Sequence, residues 1–188
     1  ERAAREELVR SLAAADLVFL GGGREALLLD ILRTPPVQRA LSQVYRRGGV
    51  VAGIGAGAAV LGAAVAVSRD REGVTWEEGL NLLPLALLDR ERVQSGQAGS
   101  AFYALAAARK GRSPVAAVGV DDGTALIVER GRRAYVVGSG AAIVALPCEG
   151  NGTPPRLMLH VLPAGYAYDL AQGRRLAAPG DERLRTAR

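Results

Sequence analysis

The spacing of apolar and polar positions along this chain changes character near residue 79. Across residues 2–14, Ala3, Leu8 and Leu12 recur among Arg and Glu, the spacing of a helix with one apolar side. LVFL at 17–20 is a short apolar run closed by Gly21, Gly22 and Gly23, as when a buried parallel strand enters a tight turn before a helix. That helix is expected over 24–33, ending before Thr34-Pro35-Pro36 because proline disfavours helix at the residue preceding it. Val37 to Arg47 predicts another helix, stopped by Gly48-Gly49. Val50 to Ala52 then reads as a strand and Ala56 to Val67 as a helix of small residues. The order α, β, α, α, β, α is that of a sheet with helices on its faces.

Beyond residue 79 the period shortens. GLNLLPLALLDRE has strand character, Gly96 to Arg109 is helical, and Val115–Val120, Ala125–Val128, Ala134–Val137 and Ile143–Leu146 are short strands between Asp-Gly, Arg-Gly and Gly-Ser-Gly turns. Those spacings predict hairpins, and LMLHVL at 157–162 adds one more strand. No repeat or linker divides the chain. The expectation is a single α/β domain over 1–177 and a charged, mobile tail over 178–188.

Composition narrows the classes of function. With 188 residues, 49% of them hydrophobic and 23% charged, the chain is long enough and apolar enough to bury a core. Basic residues exceed acidic ones 24 to 19, and 23 of the 24 are Arg. They are scattered as pairs, and only 4% of residues are aromatic, which argues against a nucleic-acid partner. The lone Cys148 excludes an internal disulfide and fits a reducing, cytoplasmic compartment. The lone His160 leaves no Cys/His metal cluster, and no metal or cofactor is expected. No secretory pattern opens the chain. The charge-free run Val50 to Val67 is 18 residues of mostly Ala and Gly, too weakly apolar to insert in a membrane.

Within that run lies GIGAGA, residues 53–58. Gly53, Gly55 and Ala58 match G-x-G-x-x-A, the turn that cradles a dinucleotide. That fingerprint also needs a strand ending in an acid about 20 residues on; Asp70 and Glu72 arrive without a visible strand before them, so a Rossmann-like nucleotide site is the weaker reading. The same stretch fits G-x-S-x-G with Gly53 and Gly57 outside and Gly55 where serine belongs. Such a turn holds its nucleophile between small neighbours so that helix and substrate can approach.

FLGGGREALL, VVAGIGAGAAV, GLNLLPLALLDRE and GVDDGTAL, in that order, resemble the blocks of the serine peptidase family that contains cyanophycinase and dipeptidase E. Those blocks read like a GGDQ turn, a GTSAGA elbow, a GLGLLP strand leading to Asp-x-His, and a G-I-D-E-x-T-A segment. The resemblance covers about residues 16–170. It implies a class I glutamine-amidotransferase-like fold: a three-layer sandwich with a mostly parallel central sheet, plus C-terminal β-hairpins. Members usually carry further βα units before the first block, so it also implies that fold without its N-terminal βα units. Either a homodimer or a partner chain would complete the edge so left, or the missing units were removed or lie outside this sequence.

Carried over by position, the family serine falls on Gly55, its histidine on Glu91 after Asp89, and its first-turn glutamine on Arg24. Gly21, Gly22, Gly53, Ala56, Gly57, Asp89 and Asp122 remain as a possible residual pocket, with Asp121 and Thr124 beside the last. Acyl transfer needs a nucleophile, a base and an oxyanion hole. The expectation is therefore an inactive homologue with a binding, regulatory or assembly role, for which Arg24, Arg90 and Arg92 suit a peptide or carboxylate ligand. The alternative is a hydrolase with a relocated nucleophile, Ser95 or Ser100, or a second chain. Glu91 and Arg24 are expected to pair. His160 and Cys148 offer a further base and thiol, although a structural histidine and a bystander cysteine are the plainer expectations.

Overall fold

The computed structural model describes residues 2–70, 73–88, 116–148 and 156–176. Two compact units, Glu1–Leu83 and Pro84–Arg188, divide the chain.

In the first unit, helix α1 (Arg2–Ala14) leads into strand β1 (Leu17–Leu20), followed by helices α2 (Glu25–Leu32) and α3 (Pro35–Arg46) and strand β2 (Val50–Gly53). Helix α3 begins earlier than the spacing suggested because Pro35 and Pro36 occupy its first turn, where a missing N–H costs nothing. Its Ala40, Leu41 and Val44 fall at i, i+1 and i+4 and are buried. The helix ends where the amides of Gly48 and Gly49 bond back to the carbonyls of Tyr45 and Val44, with Gly48 at φ 91°. Strands β1 and β2 pair in parallel, Leu17 opposite Val50 through Leu20 opposite Gly53.

The expected helix over 56–67 is corrected. Helix α4 is one turn, Ala56–Ala59, and strand β3 (Ala64–Asp70) follows. Glycines disfavour extending the helix, while Val65 and Val67 are β-branched residues whose side chains fit a strand better. β3 pairs antiparallel with β4 (Gly73–Glu78), a hairpin the apolar pattern did not reveal. Val65 is fully buried. The Leu80 amide donates to the Val60 carbonyl at 2.8 Å and the Leu82 amide to Leu61, so the GLNLL segment is laced to the end of α4.

The second unit contains β5 (Leu85–Leu88), β6 (Ala116–Val120), β7 (Thr124–Glu129), β8 (Arg133–Gly138), β9 (Ala141–Pro147), β10 (Leu157–Pro163), β11 (Ala167–Asp169) and β12 (Arg174–Leu176). β10, β9, β6 and β5 lie side by side, with β5 and β6 parallel and the other pairs antiparallel. This sheet is mixed. β12, β11, β8 and β7 form a separate antiparallel sheet of hairpins. The chain is therefore an α/β protein with a mixed sheet, helices and the expected C-terminal hairpins. The helix expected over 96–109 and the tail over 178–188 lie outside the described residues.

Candidate functional site

Two glycine turns meet in the first unit because β1 and β2 are parallel neighbours, so both chains leave the sheet at the same end. Gly21–Gly23 follows β1, and Ile54-Gly55 follows β2. The Ile54 amide donates to the Leu20 carbonyl at 3.1 Å, extending the ladder past the strand. The chain then turns at Gly55, whose φ of 54° and ψ of −126° are accessible to glycine and strained for other residues. Helix α4 starts at once, with the Gly57 amide on the Ile54 carbonyl and those of Ala58 and Ala59 on that of Gly55. Ala56, first in that helix, has no intrahelical acceptor for its amide.

Three glycines make this turn for different reasons. A methyl group at Gly53 would run into the Gly57 backbone, and one at Gly57 into the Leu20 and Gly21 carbonyls. These two are fixed by contact. At Gly55 a β-carbon would meet only the Gly22 Cα, at 3.9 Å, an ordinary contact. Space for a side chain exists there; the constraint is the backbone angle. Ala56 and Gly57 are buried, and Gly55 is partly open.

Arg24 stands exposed as the residue before α2, two positions beyond Gly22, with no side-chain cap bond to the helix. Its expected partner Glu91 lies outside the described residues, as do Asp89, Arg90, Arg92, Ser95 and Ser100. The structure thus brings together Gly21, Gly22, Gly53, Gly55, Ala56 and Gly57, with Arg24 on the adjoining turn.

In the second unit, the Asp-Asp-Gly-Thr segment holds its own loop. The Asp121 carboxylate accepts the Ala141 amide at 3.1 Å. The Thr124 hydroxyl accepts the Gly140 amide at 2.9 Å and donates to the Asp122 carbonyl at 3.1 Å. These bonds join the β6–β7 turn to the start of β9, as turn chemistry would have it. Asp122 itself is exposed.

His160 and Cys148 do not meet. His160 stands opposite Val144 in the β9–β10 ladder, and Cys148 follows Pro147, which is opposite Leu157. Four residues of strand separate them, roughly 13 Å. The His160 ring instead packs edge-to-face on Tyr168, centroids 5.3 Å apart. Burial pushes the Tyr168 phenol up to about 12, against the opposing pull of Arg175. Asp169 is also buried. The hydrogen bond from Arg132, at 3.0 Å, holds its carboxyl below the ordinary carboxylate range, helped by the Gln172 and Ala171 amides. Sequence spacing gave no sign of this pair, since its members are 37 residues apart.

The missing strand that weakened the dinucleotide reading is present, because β3 ends at Asp70. It belongs to a different sheet from β1 and β2, whereas the dinucleotide fold places that strand beside the first in one parallel sheet. Among the described residues no cluster of His, Cys, Asp and Glu is able to hold a metal, and no helix is long and apolar enough to cross a membrane.

Comparison with known proteins agrees with the resemblance. A cyanophycinase of Nostoc sp. (strain PCC 7120 / SAG 25.82 / UTEX 2576) is 28% identical over 191 residues, covering 92% of this chain and 63% of the relative. A cyanophycinase of Synechococcus elongatus is 27% identical over 187 residues, covering 89% of this chain and 57% of the relative. The chain thus spans under two thirds of the length of these relatives. The crystal structure of a peptidase from an acI-B1 Actinobacterium superposes with a TM-score of 0.61 at 24% identity, covering 87% of this chain and 63% of that one, a likeness of fold. The profile of peptidase family S51 matches residues 1–136, and the chain belongs to that family.

Proposed function

We propose that this chain is a non-hydrolytic member of its family that binds a peptide or carboxylate ligand at the Gly55 turn. The observation that carries the reading is Gly55 itself. It sits between strand and helix at φ 54° and ψ −126°, on the type of strained turn that holds a nucleophile, and has no side chain to attack with. A nucleophilic route requires an oxygen or sulfur at that point. Its close-packed neighbours Gly53 and Gly57 keep the turn's shape, and the Ala56 amide, first in α4 and without an intrahelical acceptor, is a donor suited to an oxygen ligand. Arg24 supplies positive charge at the adjoining turn.

The cyanophycinase relatives suggest cyanophycin as a ligand to try, and the resemblance to the family of dipeptidase E adds Asp-containing dipeptides. The Gly22, Gly55 and Ala56 amide resonances should shift on adding such a dipeptide, with no release of its amino acids. Turnover that disappears on replacing Ser95, Ser100 or Cys148 would overturn it in favour of a relocated nucleophile.

A further inference from the structure

We propose that Arg175 guards the outer edge of β10, keeping a further strand from pairing there and the chain from associating through that edge. Among the described residues β10 pairs with β9 alone. The register says which of its backbone groups face the other way. The Cys148 amide donates to the Arg156 carbonyl, and along an antiparallel pair bonded positions alternate with unbonded ones. Bonds to β9 therefore fall on residues 156, 158, 160 and 162, while Leu157, Leu159 and Val161 turn their N–H and C=O groups away from it. Two prolines fit this alternation. Pro163 has the same parity as Val161, and Pro147 stands opposite Leu157, so neither ring removes a bond between the two strands. Outward N–H and C=O groups are a template for another chain, and Met158, Leu159 and Val161 beside them are exposed apolar residues.

Arg175 reaches this edge from the other sheet of the unit. It lies in β12 opposite Tyr168, its guanidinium carbon stands 5.3 Å from the centre of the Tyr166 ring, and its Nη2 donates to the Val161 carbonyl. Two contacts from separate segments thus hold one charged group on the outward backbone. A strand adding to β10 would need the Val161 carbonyl for its own ladder. It would have to pull the guanidinium off Tyr166 or bury it without an acceptor, and an unpaired buried charge is costly. Charged side chains on edge strands are a common defence against such pairing. Arg174 has the same charge but bonds to the Gln172 side chain instead, and so provides the control.

Sedimentation velocity of the full chain over a range of concentrations, combined with amide hydrogen exchange, tests this. Arg175→Ala should self-associate about tenfold more strongly than the unaltered protein, because no guanidinium is left to be desolvated. The Leu159 and Val161 amides should then exchange more slowly, while Arg174→Ala should match the unaltered protein. Adding Leu159→Lys to Arg175→Ala should reverse the gain. Should Arg175→Ala not fold, Arg175→Met decides the matter, since its flexible side chain still packs on the Tyr166 ring and the donor is gone. A folded Arg175 variant that associates no more than Arg174→Ala would overturn the proposal. So would association that leaves the Leu159 and Val161 amides unprotected, or that Leu159→Lys does not reverse, because the contact then lies elsewhere.

Discussion

At the scale of single residues, the Gly55 turn separates two demands that sequence alone leaves merged. Gly53 and Gly57 are needed because backbone approaches too closely for any β-carbon, whereas Gly55 is needed only for its positive φ. Gly55→Ala should therefore cost about 1–3 kcal/mol, the strain of that conformation alone. Gly57→Ala should cost more, since it adds a clash with the Leu20 and Gly21 carbonyls. Urea unfolding of both variants measures the order, and equal losses would contradict it.

The two perturbed ionisations make opposite pH predictions. Asp169 ionises more readily in the folded state, so its contribution is present above the unfolded carboxylate pKa of about 4 and is lost as pH falls through its depressed folded value. Asp169→Asn should lower the melting temperature at pH 7, with the gap to the unaltered protein closing in acid. Tyr168 behaves inversely. Its phenol is raised to about 12 by burial, so stability is complete below about pH 10 and falls between the unfolded and folded values. Its hydroxyl is buried without a partner. Tyr168→Phe should thus leave neutral-pH stability unchanged or raise it by about 1 kcal/mol, and should remove that alkaline loss.

At the scale of elements, strands and helices were legible where one residue class dominated the pattern. Helix α3 announces itself through Ala40, Leu41 and Val44, and Leu41→Ala should cost about 2–5 kcal/mol because that side chain is 1% exposed. Strands β6 to β9 were legible between their Gly-marked turns, but only the Arg-Gly turn closes a hairpin, β7 with β8, while the Asp-Gly and Gly-Ser-Gly turns lead from one sheet to the other. The β3–β4 hairpin was not, because Leu61 to Val67 is uniformly small and apolar and fits helix and strand alike. What decides there is pairing with β4, where Ala66 stands opposite Trp76, a tertiary fact that no local window contains. The Arg33–Glu77 bridge, at 2.8 Å, ties α2 to this hairpin. Both side chains are partly exposed, so Glu77→Gln should cost no more than about 1 kcal/mol in thermal unfolding.

At the scale of the molecule, family membership was legible because four motifs occur in one order, and order is more specific than any single glycine turn. The glycine turn of the candidate site was legible in part, since Gly55 and its neighbours follow from spacing. Outside it, the Arg132–Asp169 pair and the Tyr168–His160 contact depend on strands far apart in sequence. Asp121, expected beside the residual pocket, adjoins the Asp-Gly turn and accepts the Ala141 amide. On the function proposed above, the turn around position 55 has the backbone of a nucleophile's turn without the nucleophile. The direct test is intact-mass measurement after prolonged exposure to a fluorophosphonate that labels activated serines. The mass of the chain should stay unchanged; a single adduct, mapped to Ser95, Ser100 or any other serine and blocked by cyanophycin, would show that an activated nucleophile is present and that the chain is not inert.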